Sequence, residues 1–290
     1  MLMQKAFKET KIHGRLDFPY VVYIGLIPEG LTSFPLHWHK EFEIIYIHSG
    51  CGTIFVDSKS YDCRYGDILL VPPDTIHGIN QKNNEKMVYF NILFQPSLLE
   101  ADQDSSFYKK YCLPLEEGQI RPPVLLTPDT KASRQLRPLI EPLTEHWNEA
   151  VQENVLFVKA KMFPIYEIIY GLSEKSAGGS KKVTASSRFK PLLSYVSANY
   201  NEAISIKKAA ELCNYSEAFF MKSFKKTFGI TFNSYLNEFR LEKAQDYLKN
   251  TDMNVSQVSN ECGFESLSYF IKCFRKKWGV TPHTLKKSRN

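Results

Sequence analysis

The residues best suited to chemistry stand in HWHKEFEIIYIHSG (37–50), where His37, His39 and Glu43 are spaced H-x-H-x3-E. A second stretch, GDILLVPPDTIH (66–77), adds His77. Imidazole nitrogens and a carboxylate are donors for Zn, Mn, Fe or Ni, so three His and one Glu converging on a point would hold a divalent metal. Without a metal, the same four side chains would line a small-molecule pocket together with Phe34 and Ile45. A third reading makes them buried structural groups satisfied by hydrogen bonds alone. All three readings need the residues turned to one interior face.

The surrounding pattern supplies such a face. From Tyr20 to about Phe94 the chain runs in short alternating segments (EIIYIHSGCGTIFV, SYDCRYGDILLVP, HGIN, MVYFNILF), which predict many short strands closing a β-sandwich or small barrel. On an extended strand, positions 37, 39 and 43 share parity and point inward. Trp38 and Tyr46 have the opposite parity and are expected to face outward, although with Phe34 they are also candidates to stack on a sugar or other ring-shaped effector. Next come two amphipathic helices, SRQLRPLIEPLTEHWNEA (133–150) and VQENVLFVKAKMFPIYEIIYGL (151–172). Leu136, Leu139, Ile140 and Leu143 make one apolar stripe, and Phe157, Val158, Met162, Ile165, Ile168 and Ile169 the other.

A different chemistry is written twice near the end. FMKSFKKTFGIT (220–231) returns as FIKCFRKKWGVT (270–281), with Phe220, Phe224, Phe228 and Phe270, Phe274, Trp278 four apart. Four-residue spacing makes a buried helical stripe, and Lys222, Lys225, Lys226 and Lys272, Arg275, Lys276, Lys277 fall on the other faces. Each helix is expected to end in a left-handed cap, at Gly229 or Gly279. Shorter helices precede them (204–213 and 254–262), with Asn254 and Gln257 as a capping box and Ser216 and Ser266 as N-caps. A further helix spans Phe189 to Val196, and YLNEFRLEKAQDYL (235–248) is the rod joining the two units.

Short helix, turn and longer helix make a helix-turn-helix, whose second helix enters the major groove of DNA. Base readers are then exposed residues early in each second helix: Glu217, Ala218, Met221 and Lys222, and Leu267, Ser268, Ile271 and Lys272. Ser216, Lys225, Lys226, Ser266, Arg275 and Lys276 are assigned to phosphates, which position the protein without reading sequence. Two such helices about 34 Å apart would reach successive major grooves on one DNA face. Ala218 and Met221 point to apolar contact with thymine methyls beside whatever Lys222 reads.

Charge agrees with this division. Residues 1–175 carry 18 Lys+Arg against 22 Asp+Glu, and residues 176–290 carry 19 against 9, within a total of +6. An acidic half joined to a basic half meets a polyanion through the latter. SEKSAGGSKKVTASS (173–187) lies where the balance changes sign, and its small polar residues read as a linker with an end-to-end distance of about 20 Å if flexible. The expected domains are therefore 1–172 and 188–290. Six scattered cysteines without C-x-x-C spacing read as reduced packing residues. No apolar run approaches a membrane span or signal peptide, which implies a cytoplasmic protein without a membrane partner.

The C-terminal hundred or so residues resemble the DNA-binding domain of AraC/XylS transcription regulators. RLEKAQDYL (240–248) and VSQVSNECGFESLSYFIKCFRKKWGVTP (255–282) carry the GF, SYF, FRKKWG and TP elements in the family's order and spacing. After Pro282 the chain departs from the family's usual Tyr-Arg pair, with His283, Thr284 and Leu285. The His/Glu segments resemble the two-part signature of cupin barrels, also the sensor fold of many such regulators, with Asp74 where glycine is common. The resemblance implies an α+β multidomain fold: a cupin-like barrel, a helical pair that commonly forms the dimer seam, and an all-α domain with two helix-turn-helix units. It further implies an activator controlled by a small-molecule effector, working as a homodimer on double-stranded DNA with RNA polymerase. A metal-dependent cupin enzyme, such as a dioxygenase or isomerase, would explain the His/Glu cluster but leaves the doubled helix-turn-helix without a purpose. A constitutive DNA-binding protein with a merely dimerising barrel is the third reading.

Overall fold

The computed structural model describes residues 13–15, 17–28, 33–83, 85–145, 154–175 and 186–287. The chain divides into two compact units, one drawn from Glu9–Thr184 and the other from Ala185–Asn290. The predicted linker is confined at both ends. Glu174 and Lys175 pair as a short strand with Arg121 and Ile120, and Ser186 opens a helical turn; positions 176–185 lie outside the described residues.

The first unit is an antiparallel β-structure built on seven principal strands: β1 (Tyr20–Ile27), β2 (Ser33–His37), β3 (Phe42–Val56), β4 (Lys59–Arg64), β5 (Ile68–Val71), β6 (His77–Gln81) and β7 (Met87–Phe94). The long β3 belongs to both sheets. Its first half pairs with β7 and β5, and its second half pairs with β4 and β6. Strand β1 extends one sheet from β7, and β2 extends the other from β6. The alternation of side chains separates two apolar clusters. Ile45, Ile47, Ile54, Val56, Leu69, Val71 and Ile79 fill the interior. Phe42, Ile44, Tyr46, Ile68, Leu70 and Ile92 point the other way, under two helices.

Those helices are α1 (Lys131–Glu145) and α2 (Val155–Leu172), packed together and onto the outer sheet face through Leu136, Ile140, Leu143, Val158, Met162, Ile165 and Ile169. The predicted residues 146–150 and 151–153 lie outside the described residues. The sheet is thus buried on both faces, and strands of that kind read as continuous apolar runs. Tyr46, expected to face outward, is accordingly buried, because parity says which side a residue takes but not whether that side meets water; Trp38, with the same expectation, is buried as well.

The second unit is all-helical: α3 (Lys190–Asn199), α4 (Ile206–Leu212), α5 (Glu217–Phe228), α6 (Phe232–Asn250), α7 (Val255–Glu261), α8 (Leu267–Trp278) and α9 (Pro282–Lys287). Local chemistry sets nearly every boundary. Ser205, Ser216, Thr231, Asn254 and Ser266 accept a bond from the amide three residues on, and Asn254 with Gln257 forms the full capping box. Helices α5 and α8 end at Gly229 and Gly279 with φ of 77° and 72°. In the α7–α8 turn, Gly263 has φ of 78°, and a Cβ there would meet the Asn201 carbonyl oxygen at 2.7 Å, so no other residue fits. The helix after the TP element forms despite the departure from the Tyr-Arg pair, with Leu285 packed on the apolar cluster of the second helix-turn-helix. Among the described residues, no helix is long and apolar enough to cross a membrane.

Candidate functional site

The first unit brings His37, His39, Glu43 and His77 together in its interior. They do not lie on one strand, as the parity reading supposed. His37 ends β2 opposite His77 of β6, His39 follows just before a bend, and Glu43 sits on β3 between Val71 and Leu93. The two sheets therefore contribute from opposite sides. All four are at most 7% exposed, and one donor atom from each lies within 4.8 Å of the others. Four donors about 2.1 Å from one tetrahedral ion lie about 3.4 Å apart, so holding a metal would require the widest pair, now within 4.8 Å, to close by about 1.4 Å.

The ring orientations matter more than the spacing. His77 Nδ1 donates to the Thr75 carbonyl at 2.8 Å, and His39 Nδ1 donates to the Glu41 carbonyl at 3.2 Å. A carbonyl on Nδ1 selects the tautomer that leaves the Nε2 lone pair free, as around bound metals. Both Nε2 atoms converge on Glu43 Oε2, at 2.7 Å from His77 and 3.2 Å from His39. A lone pair and a carboxylate oxygen at 2.7 Å need positive charge between them, either a proton on the imidazole or a metal ion. Burial alone would raise the Glu43 carboxyl, but the positive His77 and the hydrogen bonds of both imidazoles hold it well below its ordinary range.

The neighbouring loop supports this arrangement. Asp74, at the position where glycine is common, has φ of 59°, and its amide donates to the His39 carbonyl at 2.8 Å. Asp is one of the few side chains that enter this region without glycine. Ile45 shares the interior face with Glu43. Phe34 lies on β2 opposite Ile79, and its side chain lies outside the described residues. One participant escaped the sequence reading: buried His13 lies with its ring 5.6 Å from His39 and its Nδ1 3.3 Å from Tyr23 Oη. It precedes the first strand, where no periodicity or motif spacing points to it.

In the second unit, α4–α5 and α7–α8 are the two helix-turn-helix pairs. Phe220 and Phe224, like Phe270 and Phe274, are fully buried. Glu217, Ala218, Met221, Lys222, Leu267, Ser268 and Lys272 are exposed, as are Lys225, Lys226, Arg275 and Lys276. Ile271 is instead half-buried, packed against the apolar cluster around Phe270. The Ser216 and Ser266 hydroxyls are engaged as caps, at 3.4 Å from the Phe219 amide and 3.3 Å from the Tyr269 amide. Phe219 and Tyr269 are exposed and were missed, because each precedes a buried Phe and the doublet reads as core. Lys277 leaves the cationic face altogether and pairs with Glu242 of α6.

Helix α6 touches both reading helices and carries ties to the segment after α3 and to α8. Arg240 donates to the Tyr200 and Glu202 carbonyls behind α3, at 2.7 and 2.8 Å. Glu242 holds Lys277 at 2.9 Å on the other side.

Comparison with known proteins agrees with both halves. The AraC-like ligand binding domain family matches residues 29–163, and a helix-turn-helix domain family matches residues 209–288. The HTH-type transcriptional regulator YdeC of Bacillus subtilis (strain 168) is 23% identical over 295 residues, spanning 99% of this chain and 98% of that protein. The HTH-type transcriptional activator RhaR of Enterobacter sp. (strain 638) is 24% identical over 254 residues, 86% of each chain. The HTH-type transcriptional activator RhaS of Escherichia fergusonii is 23% identical over 286 residues, 97% of this chain and 98% of that one. With a sheet-built unit matching the ligand-binding domain and a helical unit matching the helix-turn-helix domain, the chain belongs to the AraC family of transcription regulators.

Proposed function

We propose that this protein is a transcriptional activator that acts by binding DNA and not by catalysis, under the control of a small molecule held in the first unit. The carrying observation is that two capped helices of equal length, each with a cationic outer face, pack on a single connecting helix. In this reading residues 1–172 bind the effector and dimerise, 173–187 connect, and 188–290 read DNA in the cytoplasm and engage RNA polymerase. The early exposed residues meet bases, and Lys225, Lys226, Arg275 and Lys276 meet phosphates. Exposed Leu156 and Phe163 on α2 support a homodimer through that helix.

His37, His39, Glu43 and His77 would hold a divalent metal, which would offer Lewis-acid coordination to an effector oxygen. The chain's own residues supply the route outward. Glu43 and Tyr46 lie on opposite faces of β3, and Tyr46 Oη donates to Glu141 Oε1 of α1 at 3.0 Å. Movement of β3 around an occupied pocket therefore reaches the helical pair directly, and the effector acts to the extent that it binds one arrangement more tightly.

The test is selection of binding sites by full-length protein from random duplex DNA, with and without candidate metabolites, including sugars. The expected result is one enriched sequence with two contacted segments about 10 base pairs apart and an affinity that the effector changes. Failure to enrich any sequence overturns the proposal.

A further inference from the structure

Among the described residues, ten large apolar side chains are exposed, and four of them fall within the first five residues of α5 or α8. Phe219 is 53% exposed, Met221 51%, Tyr269 48% and Leu267 40%. Exposed apolar groups scattered singly need no explanation, but clustering in the first turns of both copies of a repeat does. At 100° per residue, Ala218 and Lys222 mark the middle of the outward face, with Met221 and Phe219 about 80° to either side. The second copy has Ser268 and Lys272 in the middle, Tyr269 on one flank, and Leu267 with half-buried Ile271 on the other.

These side chains are braced. The Tyr215 ring lies 4.8 Å from Phe219, and the Phe264 ring lies 6.4 Å from Tyr269. Asn237 Nδ2 of α6 donates to Tyr269 Oη at 3.1 Å, which fixes the ring from outside its own helix. The surface around them is cationic, with Lys222, Lys225, Lys226, Lys272, Arg275 and Lys276 all exposed.

Their complement is an anionic surface with apolar points set into it. The major groove is such a surface, because phosphates line its rim and thymine alone of the bases presents a methyl group in its floor. Reading of adenine favours Asn or Gln, and neither occurs in 217–222 or 267–272. Lys222 and Lys272 suit guanine, and Glu217 suits the cytosine amino group. Resting on the DNA-reading function proposed above, we infer that α5 and α8 recognise their sites chiefly through thymine methyl groups. Phe219 and Met221 make these contacts in one groove, and Leu267 and Tyr269 make them in the next.

The experiment resynthesises the duplex selected from the random library with each thymine in turn replaced by deoxyuridine, which deletes the methyl and leaves every hydrogen-bonding group in place. Loss of roughly threefold to fivefold in affinity per methyl, at thymines in both contacted segments, is expected for full-length protein. Met221→Ala should abolish the loss at the thymine it contacts, with an unchanged circular dichroism melt. A specific site that is indifferent to deoxyuridine throughout overturns this inference and leaves DNA reading intact. Absence of any selected site overturns both. Retained methyl sensitivity in a protein with Phe219, Met221, Leu267 and Tyr269 all changed to Ala also overturns it, and assigns the patch to a protein partner instead.

Discussion

Lys277 Nζ of α8 stands 2.9 Å from Glu242 Oε1 of α6, with both side chains largely withdrawn from water. Two positions before Glu242, Arg240 grips the end of α3 from another side of the same helix. The connecting helix therefore holds the end of α3 through Arg240 and α8 through Glu242. Glu242→Gln removes the nearer counter-charge of Lys277 and leaves only Glu238 beside it, which should cost on the order of 2 kcal/mol. Denaturant unfolding followed by helical circular dichroism measures this. Specificity should relax in the segment read by α8 more than in that read by α5, and equal relaxation would show that the pair does not orient α8.

Readers and positioners should separate in their salt dependence. Lys225→Ala should weaken binding to all sequences alike and lower the slope of log affinity against log salt by about 1. Lys222→Ala should instead reduce discrimination between the selected site and its point variants. Identical behaviour of the two variants would show that the assignment of roles along α5 is wrong.

The histidine cluster predicts stoichiometric divalent metal in the purified protein, measured by elemental analysis. Chelation should lower the melting temperature of the first unit, since an ion bound only by the folded state stabilises it. His77→Ala should remove both the metal and the effect of the chelator. If the wild-type protein carries no metal and ignores chelators, the charge between His77 and Glu43 is a proton.

Alkaline pH tests the link from β3 to α1. Burial, reinforced by the bond to Glu141, pushes the Tyr46 hydroxyl up to about 12. An acid whose folded value is raised contributes stability fully present below its unfolded value, about 10, and lost as pH rises through the folded value. Melts of the wild type should therefore be level from pH 7 to 9 and fall between about 10 and 12. Tyr46→Phe should cost about 1 kcal/mol at pH 8, the loss of one hydrogen bond, and the gap should narrow above pH 10. A constant gap across that range would exclude Tyr46 as a titrating contributor.

Thiol reactivity should follow burial. Burial pushes the thiols of Cys63, Cys213 and Cys262 up to about 12 and that of Cys112 up to about 11. Thiolate is the reactive form, so these four should resist alkylation at pH 7.5 until the protein unfolds. Half-buried Cys273 should react first, with Cys51 behind it because its thiol donates to Glu85, which pushes it up. Peptide mapping after brief iodoacetamide treatment gives the order.

Much of the second unit was legible because its determinants are local. The four-residue Phe spacing, the serine and asparagine caps and the two glycines act within a turn of helix, and each occurs where its residue type requires. The convergence of His37, His39, Glu43 and His77 was also legible, since donor chemistry and spacing survive without knowledge of the path between them. Other features depended on contacts distant in sequence. Tyr46 became a buried link only because two helices cover the outer face of its sheet, and Lys277 left the cationic surface only because α6 presents Glu242. His13 joined the cluster across the fold, and Phe219 and Tyr269 stayed in water beside phenylalanines that did not. Side-chain type and periodicity, which the sequence alone determines, say what a residue can do and which way it faces. Whether that side meets water, a partner or another element is set by burial and register among distant segments, and only the tertiary structure decides it.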